Sequence, residues 1–143
     1  MFVTNWTITP GKEKIIFKRT YQNSNLVVSM GESYANLNIS IFTQNTDDSL
    51  DNEPVNNHQI ESIPLQRWNH ISITIYDRVI DVYLNGKLIK SFINNNDLLN
   101  SNNTLITIGN DAEEMTYEGF ISRFRYYPRI ITPEEVYNNY LKG

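Results

Sequence analysis

Three kinds of residue in this sequence could carry chemistry: two histidines, nine tyrosines and a group of arginines near the C-terminus. His70 follows Trp68 by two residues, so both side chains lie on one side of an extended strand. No carboxylate stands at a metal-ligand spacing from His70, and we interpret it as a structural histidine, hydrogen-bonded beside a sheet. His58 falls in a polar segment and is predicted to be solvated. The sequence contains no G-x-S-x-G elbow, glycine-rich phosphate loop or H-E-x-x-H helix.

Aromatic residues make up 12% of the chain, and aromatic faces suit stacking on sugar rings. Trp6, Trp68, Phe17, Phe42 and the phenylalanines at 120 and 124 are predicted to be core residues. Four tyrosines are the candidates for ligand contact, because three adjoin predicted turns and one has the opposite strand parity to its apolar neighbours. These are Tyr34, Tyr76, Tyr117 and, by parity, Tyr83.

Arginines alternate with aromatic residues in the segment RFRYYPR at 123–129. Arginine stems that cover a sheet surface explain this pattern, and so does a recognition patch for an acidic glycan or a protein partner. Arg125 is the candidate ligand contact in this segment.

Composition limits the class of protein. The 143 residues are enough for one domain with a sizeable core, and 40% of them are hydrophobic. A net charge of -4 argues against a nucleic-acid binder, which normally carries a basic stripe. No apolar run is long enough to insert this segment into a membrane. Cysteine is absent, which excludes disulfides and thiolate metal sites.

Short runs of alternating apolar and polar residues dominate the chain and predict an antiparallel sandwich. Isoleucine alternation over 71–75 and Asn85-Gly86, the strongest two-residue hairpin signal, predict a three-stranded meander that ends near residue 93. The polar stretch 44–62 is predicted to be an exposed loop, with a short strand near 60–64. The remaining predicted strands are 2–8, 14–21, 26–30, 34–43, 104–108 and 119–127, the last with a bulge near residues 122 and 123.

The end of the chain changes to a helical pattern, TPEEVYNNYLKG. Thr132 is the predicted N-cap, Pro133 occupies the first helical position, and Glu135 completes a capping box. Val136 and Tyr140 are four residues apart and therefore share the face predicted to be buried.

Three segments together resemble the concanavalin A-like lectin/glucanase superfamily, in its laminin G-like branch. They are RWNHISITI, the hairpin VIDVYLNGKLIKSF, and the closing block that runs from ITIGND to YEGFISRFRYYPRIITPEEVYNNY. The resemblance implies an all-β, concanavalin A-like jelly-roll sandwich of two antiparallel sheets with one short C-terminal helix. Residues 1–143 then form a single domain. The asparagine-rich, cysteine-free composition is similar to versions carried by large DNA viruses.

The resemblance also bears on catalysis and metal binding. Glucanases of this superfamily use paired carboxylates at alternating positions of one strand, and this chain has no such strand. The nearest run, 51–53, lies in the predicted polar loop. Laminin G-like relatives often bind calcium through loop oxygens, and the candidate calcium ligands here are Asp47, Asp48, Asn110 and Asp111; solvated acidic loops explain the same residues.

Relatives usually carry one more strand before the tryptophan-containing first strand, and that strand pairs near the C-terminal one. This indicates a domain excised from a longer chain, whose preceding region could anchor it. We therefore expect a non-catalytic recognition domain that binds a glycan or a protein partner on the surface of a virion or a cell. Two alternatives stay open: a structural or assembly module of a larger particle without sugar binding, and a glycoside hydrolase.

Overall fold

The computed structural model describes residues 1–5, 14–21, 23–31, 35–43, 55–97, 104–109 and 118–143. Within them lie ten strands and one helix, whose bounds follow in chain order: β1 (Phe2–Asn5), β2 (Lys14–Tyr21), β3 (Asn23–Met30), β4 (Leu37–Phe42), β5 (Val55–Ile60), β6 (Ile71–Tyr76), β7 (Val79–Leu84), β8 (Lys87–Ile93), β9 (Leu105–Ile108), β10 (Glu118–Phe120) and α1 (Pro133–Leu141). In this part of the chain no helix has the length and apolar character needed to cross a membrane.

The larger sheet contains five antiparallel strands in the order β5-β4-β3-β2-β9. Its two faces differ because apolar and polar residues alternate along the strands. In β4, for example, Leu37, Ile39 and Ile41 are buried, whereas the residues between them are partly exposed on the other side. This face of β4 forms one wall of the core.

The second layer consists of the meander β6-β7-β8 and the antiparallel pair β1-β10. A single β-bridge between Phe2 and Trp68 links β1 to the segment just before β6. Ile80 and Val82 of β7 and Val3 of β1 pack in the same buried cluster as the larger sheet. The two layers thus form the predicted concanavalin A-like sandwich. We call the side of this second layer that points away from the core the outer face.

Several predictions about individual elements need correction. The segment 44–62 is not all loop, because β5 pairs along its length with β4. His58 of β5 is not simply solvated: its Nε2 lies 2.9 Å from Asn94 Oδ1, and its ring stacks on Phe92 at 4.2 Å. β3 begins at Asn23, three residues earlier than expected.

The last strand is also shorter than its sequence suggests. β10 ends at Phe120, and no bulged strand continues to residue 127. Arg123 has a φ of 55°, in the left-handed region, which is incompatible with a continuing strand. β10 pairs antiparallel with β1 at the start of the described chain.

Helix α1 begins as predicted. The side chain of Thr132 accepts a hydrogen bond from the Glu135 N–H, and the Glu135 carboxylate accepts one from the Thr132 N–H, which completes the capping box. Arg129 donates hydrogen bonds from both terminal nitrogens to the two oxygens of the same carboxylate, at 2.6 and 3.0 Å. Val136 is fully buried on the outer face, in a small cluster with Tyr83 and Ile131.

Substitution of Gly86 tests the contact between the helix and the β7–β8 turn. Gly86 and Gly109 both have a φ of +77°, but a Cβ on Gly86 would lie 2.9 Å from ring atoms of Tyr137 and Tyr140, whereas one on Gly109 would meet nothing within 4 Å. We expect Gly109→Ala to cost about 1–2 kcal/mol for the left-handed backbone alone. Gly86→Ala should cost a further ~1–3 kcal/mol for the overpacking. Urea unfolding of both variants measures the difference, and equal losses would contradict the packing described.

The Arg129–Glu135 pair predicts a pH dependence of stability. The hydrogen bond from Arg129 and the backbone hydrogen bond from Thr132 lower the pKa of Glu135 from 4.5 to about 2. A carboxyl whose pKa is depressed in the folded state stabilises the fold above its unfolded pKa, and this stabilisation is lost as pH falls toward the folded pKa. Glu135→Gln should therefore lower the melting temperature at neutral pH, with the gap to wild type closing between pH 4.5 and about 2.

Glu134→Gln is the matched control for this measurement. It removes the same charge from the same helical turn but leaves the Arg129 pair and the capping box in place. We expect Glu134→Gln to follow the wild-type melting curve more closely across the series. A gap for Glu135→Gln that is constant with pH would show that the pair does not carry this stabilisation.

Candidate functional site

Six of the residues predicted to contact a ligand or calcium lie outside the described residues: Tyr34, Tyr117, Asp47, Asp48, Asn110 and Asp111. Within the described part of the chain, no group of three or more histidine, aspartate or glutamate side chains is placed to hold a metal ion. The remaining candidates, Tyr76, Tyr83 and Arg125, can be located in the structure.

Tyr83 is a correction to the sequence prediction. Strand parity does place it on the outer face, but α1 covers it there, and only 4% of the residue is exposed. Burial raises the pKa of its hydroxyl, which also hydrogen-bonds to Thr74. Parity alone could not show that a helix from the end of the chain occupies this face, so Tyr83 contributes to helix docking rather than to an open surface.

Tyr76 and Arg125 are both at the surface, but the structure does not bring them together. Tyr76 ends β6 and is 66% exposed. Arg125 lies beside the helix, where its Nη1 donates a hydrogen bond to Asn139 Oδ1 at 3.0 Å. The two residues mark different parts of the outer face, and whether either contacts a ligand stays a prediction.

The most prominent surface feature is a row of three aromatic side chains on the outer face, which we call the aromatic row. Phe2 of β1 is its centre: the Trp68 ring lies 5.6 Å from it on one side and the Phe120 ring 6.5 Å on the other. The backbone dictates this arrangement, since Phe2 pairs with Phe120 and bridges to Trp68, which places the three side chains on one face.

The aromatic row is exposed, although Trp68 and Phe120 were predicted to be core residues. Trp68 is 55% exposed and Phe120 64% exposed. Their neighbours in sequence explain the error: Val3 next to Phe2 and Asn69 next to Trp68 take the buried positions. Phe2 comes one residue before the apolar Val3, and this alternation indicated that the Phe2 side chain points away from the core. No local sequence pattern marked Trp68 or Phe120 as surface residues.

Polar side chains border the aromatic row on the side that faces the helix. His70 lies on the same side of the strand as Trp68, and its ring centroid is 6.0 Å from that of Tyr140. Burial, the positive chain terminus and Arg125 lower the pKa of His70, so its imidazole is neutral at neutral pH. The ring lies beside the sheet as predicted, but its Nδ1 has no hydrogen-bond partner among the described residues.

Arg125 and Asn139 continue this polar border. Asn139 accepts from Arg125 and donates through its Nδ2 to the Tyr127 hydroxyl at 3.2 Å. Asn139 is the helix residue next to Tyr140, whose ring centroid lies 6.0 Å from that of His70. The surface therefore combines aromatic faces with amide and guanidinium groups, the set that can stack on a sugar ring and hydrogen-bond its hydroxyls.

A comparison with protein-family models agrees with this architecture. A laminin G-type family model, described as the concanavalin A-like lectin/glucanases superfamily, matches residues 4–137. No protein of curated function matches the sequence. One similar solved structure is an S-layer domain-containing protein (residues 221-444) from Clostridium thermocellum, with 18% identity and a TM-score of 0.42 over 98% of this chain and 69% of that one. Because the family model matches nearly the whole sequence, the chain belongs to the concanavalin A-like lectin/glucanase superfamily as a domain of laminin G type.

Proposed function

We propose that this chain is a non-catalytic recognition domain that binds a glycan on the aromatic row. The observation that carries the proposal is the exposure of Trp68 and Phe120 on either side of Phe2. Leaving large aromatic side chains in water forgoes about 1.5–3 kcal/mol of burial energy each, so their presence at the surface favours a binding role.

The chemistry of the site supports a saccharide as the ligand. Aromatic faces stack on the apolar C–H side of a pyranose ring, while polar groups at the border bind the hydroxyls. Arg125 and Asn139, which hydrogen-bond to each other beside the helix, supply such groups. Their guanidinium and amide favour a glycan that carries hydroxyl or carboxylate oxygens. The domain would act on the surface of a virion or a cell, holding its ligand without breaking a bond.

Replacement of Trp68 tests this function. A glycan array of neutral and acidic oligosaccharides identifies the ligand, and calorimetry with the best hit measures its affinity. We expect Trp68→Ala to raise Kd roughly tenfold to a hundredfold, because a covered aromatic side chain is worth about 1.5–3 kcal/mol. Since Trp68 is half exposed, the variant should keep its fold.

Tyr76→Ala is the matched control, because Tyr76 is equally exposed but belongs to another part of the outer face. Eight residues of extended chain separate it from Trp68, roughly 25 Å. Equal losses of affinity in both variants would refute the aromatic row as the site. If the wild-type domain binds no glycan on the array, glycan binding is refuted. That result would favour the second candidate, an assembly module whose aromatic row is covered by another protein.

Calcium binding remains a proposal that rests on the sequence alone. Asp47, Asp48, Asn110 and Asp111 could supply several of the six to eight oxygens that the ion requires. If calcium binds the folded chain, millimolar calcium should raise the melting temperature, because a ligand that binds only the folded state stabilises it. An unchanged melting temperature, with magnesium as the parallel control, would remove the proposal.

A further inference from the structure

Strand β8 is the edge of the meander, and three of its seven side chains are both apolar and exposed. Among the described residues only β7 pairs with it, and no described strand uses the backbone groups along its other side. Leu88 and Ile93 are 53% and 75% exposed, and Ile89 between them is exposed as well. Exposed, apolar edge strands are templates for pairing with another chain.

The apolar surface continues from β8 onto the outer face. Ile93 pairs with Val79, which pairs with Tyr76, and all three side chains are exposed. This row lies beyond the part of the outer face that α1 covers. Ile93 belongs both to the edge and to this row, and exposed apolar side chains grouped in this way are typical of a protein–protein contact.

Charges are distributed unevenly along β8. Lys87 lies at its beginning and Lys90 at its middle, and both are exposed. Asp97 follows its end, paired with Arg78 at 2.7 Å, and Asp77 lies in the turn just before Val79, the partner of Ile93. One end of the edge therefore carries Lys87, and the other carries two carboxylates and one arginine, so its net charge is negative.

We propose that the occupant of this edge is a second copy of the same chain, paired antiparallel through β8 about a two-fold axis at Ser91. Antiparallel pairing places the basic end of one copy beside the acidic end of the other, so the charge pattern of the strand is complementary to itself. The pairing also satisfies the free backbone groups of both edges.

The side chains select the position of the axis. Pairing centred on Ser91 sets Ile89, the extra residue of the bulge in β8, against Ile93 of the second copy, so two exposed apolar residues cover each other. It also sets Lys90 opposite Phe92, and it brings the beginning of β8, with Lys87, toward the end of the second copy that carries Asp97. Pairing centred on Lys90 would instead oppose two lysines, which is unfavourable for directly facing strand residues.

A single cysteine tests this geometry directly, because the chain has none of its own. Residues that face each other in an antiparallel pair have Cα atoms about 4.5–5.5 Å apart, within the range that a disulfide spans. We expect Ser91→Cys to form a disulfide-linked dimer under mild oxidation. The rate should be roughly tenfold or more above that of Ser122→Cys, since paired thiols react at a high effective concentration.

Ser122 is the control because it is exposed and lies outside β8. Sedimentation of the wild-type domain at increasing concentration should show a dimer that Leu88→Glu dissociates and Leu141→Glu, an equally exposed leucine on the helix, leaves intact. Cross-linking of Ser91→Cys should persist in a Trp68→Ala background, which separates this contact from the aromatic row. Equal cross-linking of the two cysteine variants, or a wild-type monomer at every concentration, would overturn the proposal and leave the edge to a different protein.

Discussion

The docking of α1 onto the outer face is the constraint on which the surface of this domain depends. A helix of nine residues is too short to be stable alone, so it persists because Val136 is buried against Tyr83 and Ile131. Gly86 permits this approach, since the rings of Tyr137 and Tyr140 lie where any larger residue would place its Cβ. The capping box and the ion pair between Arg129 and Glu135 then determine where the helix begins.

The helix divides the outer face into regions with different chemistry. On one side, next to His70, lies the aromatic row with its polar border. On the other side, beyond Tyr83, lie Tyr76 and the edge strand β8. The core beneath contains residues from both layers, so both regions lie over the same packed interior.

The two proposed contacts are compatible because they use opposite regions of the same face. A dimer formed through β8 would leave both aromatic rows free, one on each copy. Two linked sites raise the avidity for a repeating ligand without any new contact, provided that the ligand can span them. Weak stacking on a half-exposed tryptophan would then suffice for stable attachment to a polymer or a surface that displays many copies of a glycan.

The features that the sequence predicted correctly depend on residues close together in the chain. Isoleucine alternation in β6, the Asn85-Gly86 turn and the capping box from Thr132 to Glu135 each express a local preference of the backbone. The family, too, was recognisable from such segments. β5 was missed because its strand VNNHQI has almost no apolar alternation, and only its pairing with β4 makes it a strand.

Burial, in contrast, was decided by the tertiary structure. Tyr83 is buried because a helix fifty residues later in the chain covers it, and Trp68 is exposed because nothing described covers the row it forms with Phe2 and Phe120. Phe2 and Phe120 meet across nearly the full length of the sequence. Parity along a strand tells which side a residue faces, but only contacts between distant segments determine whether that side meets protein or water.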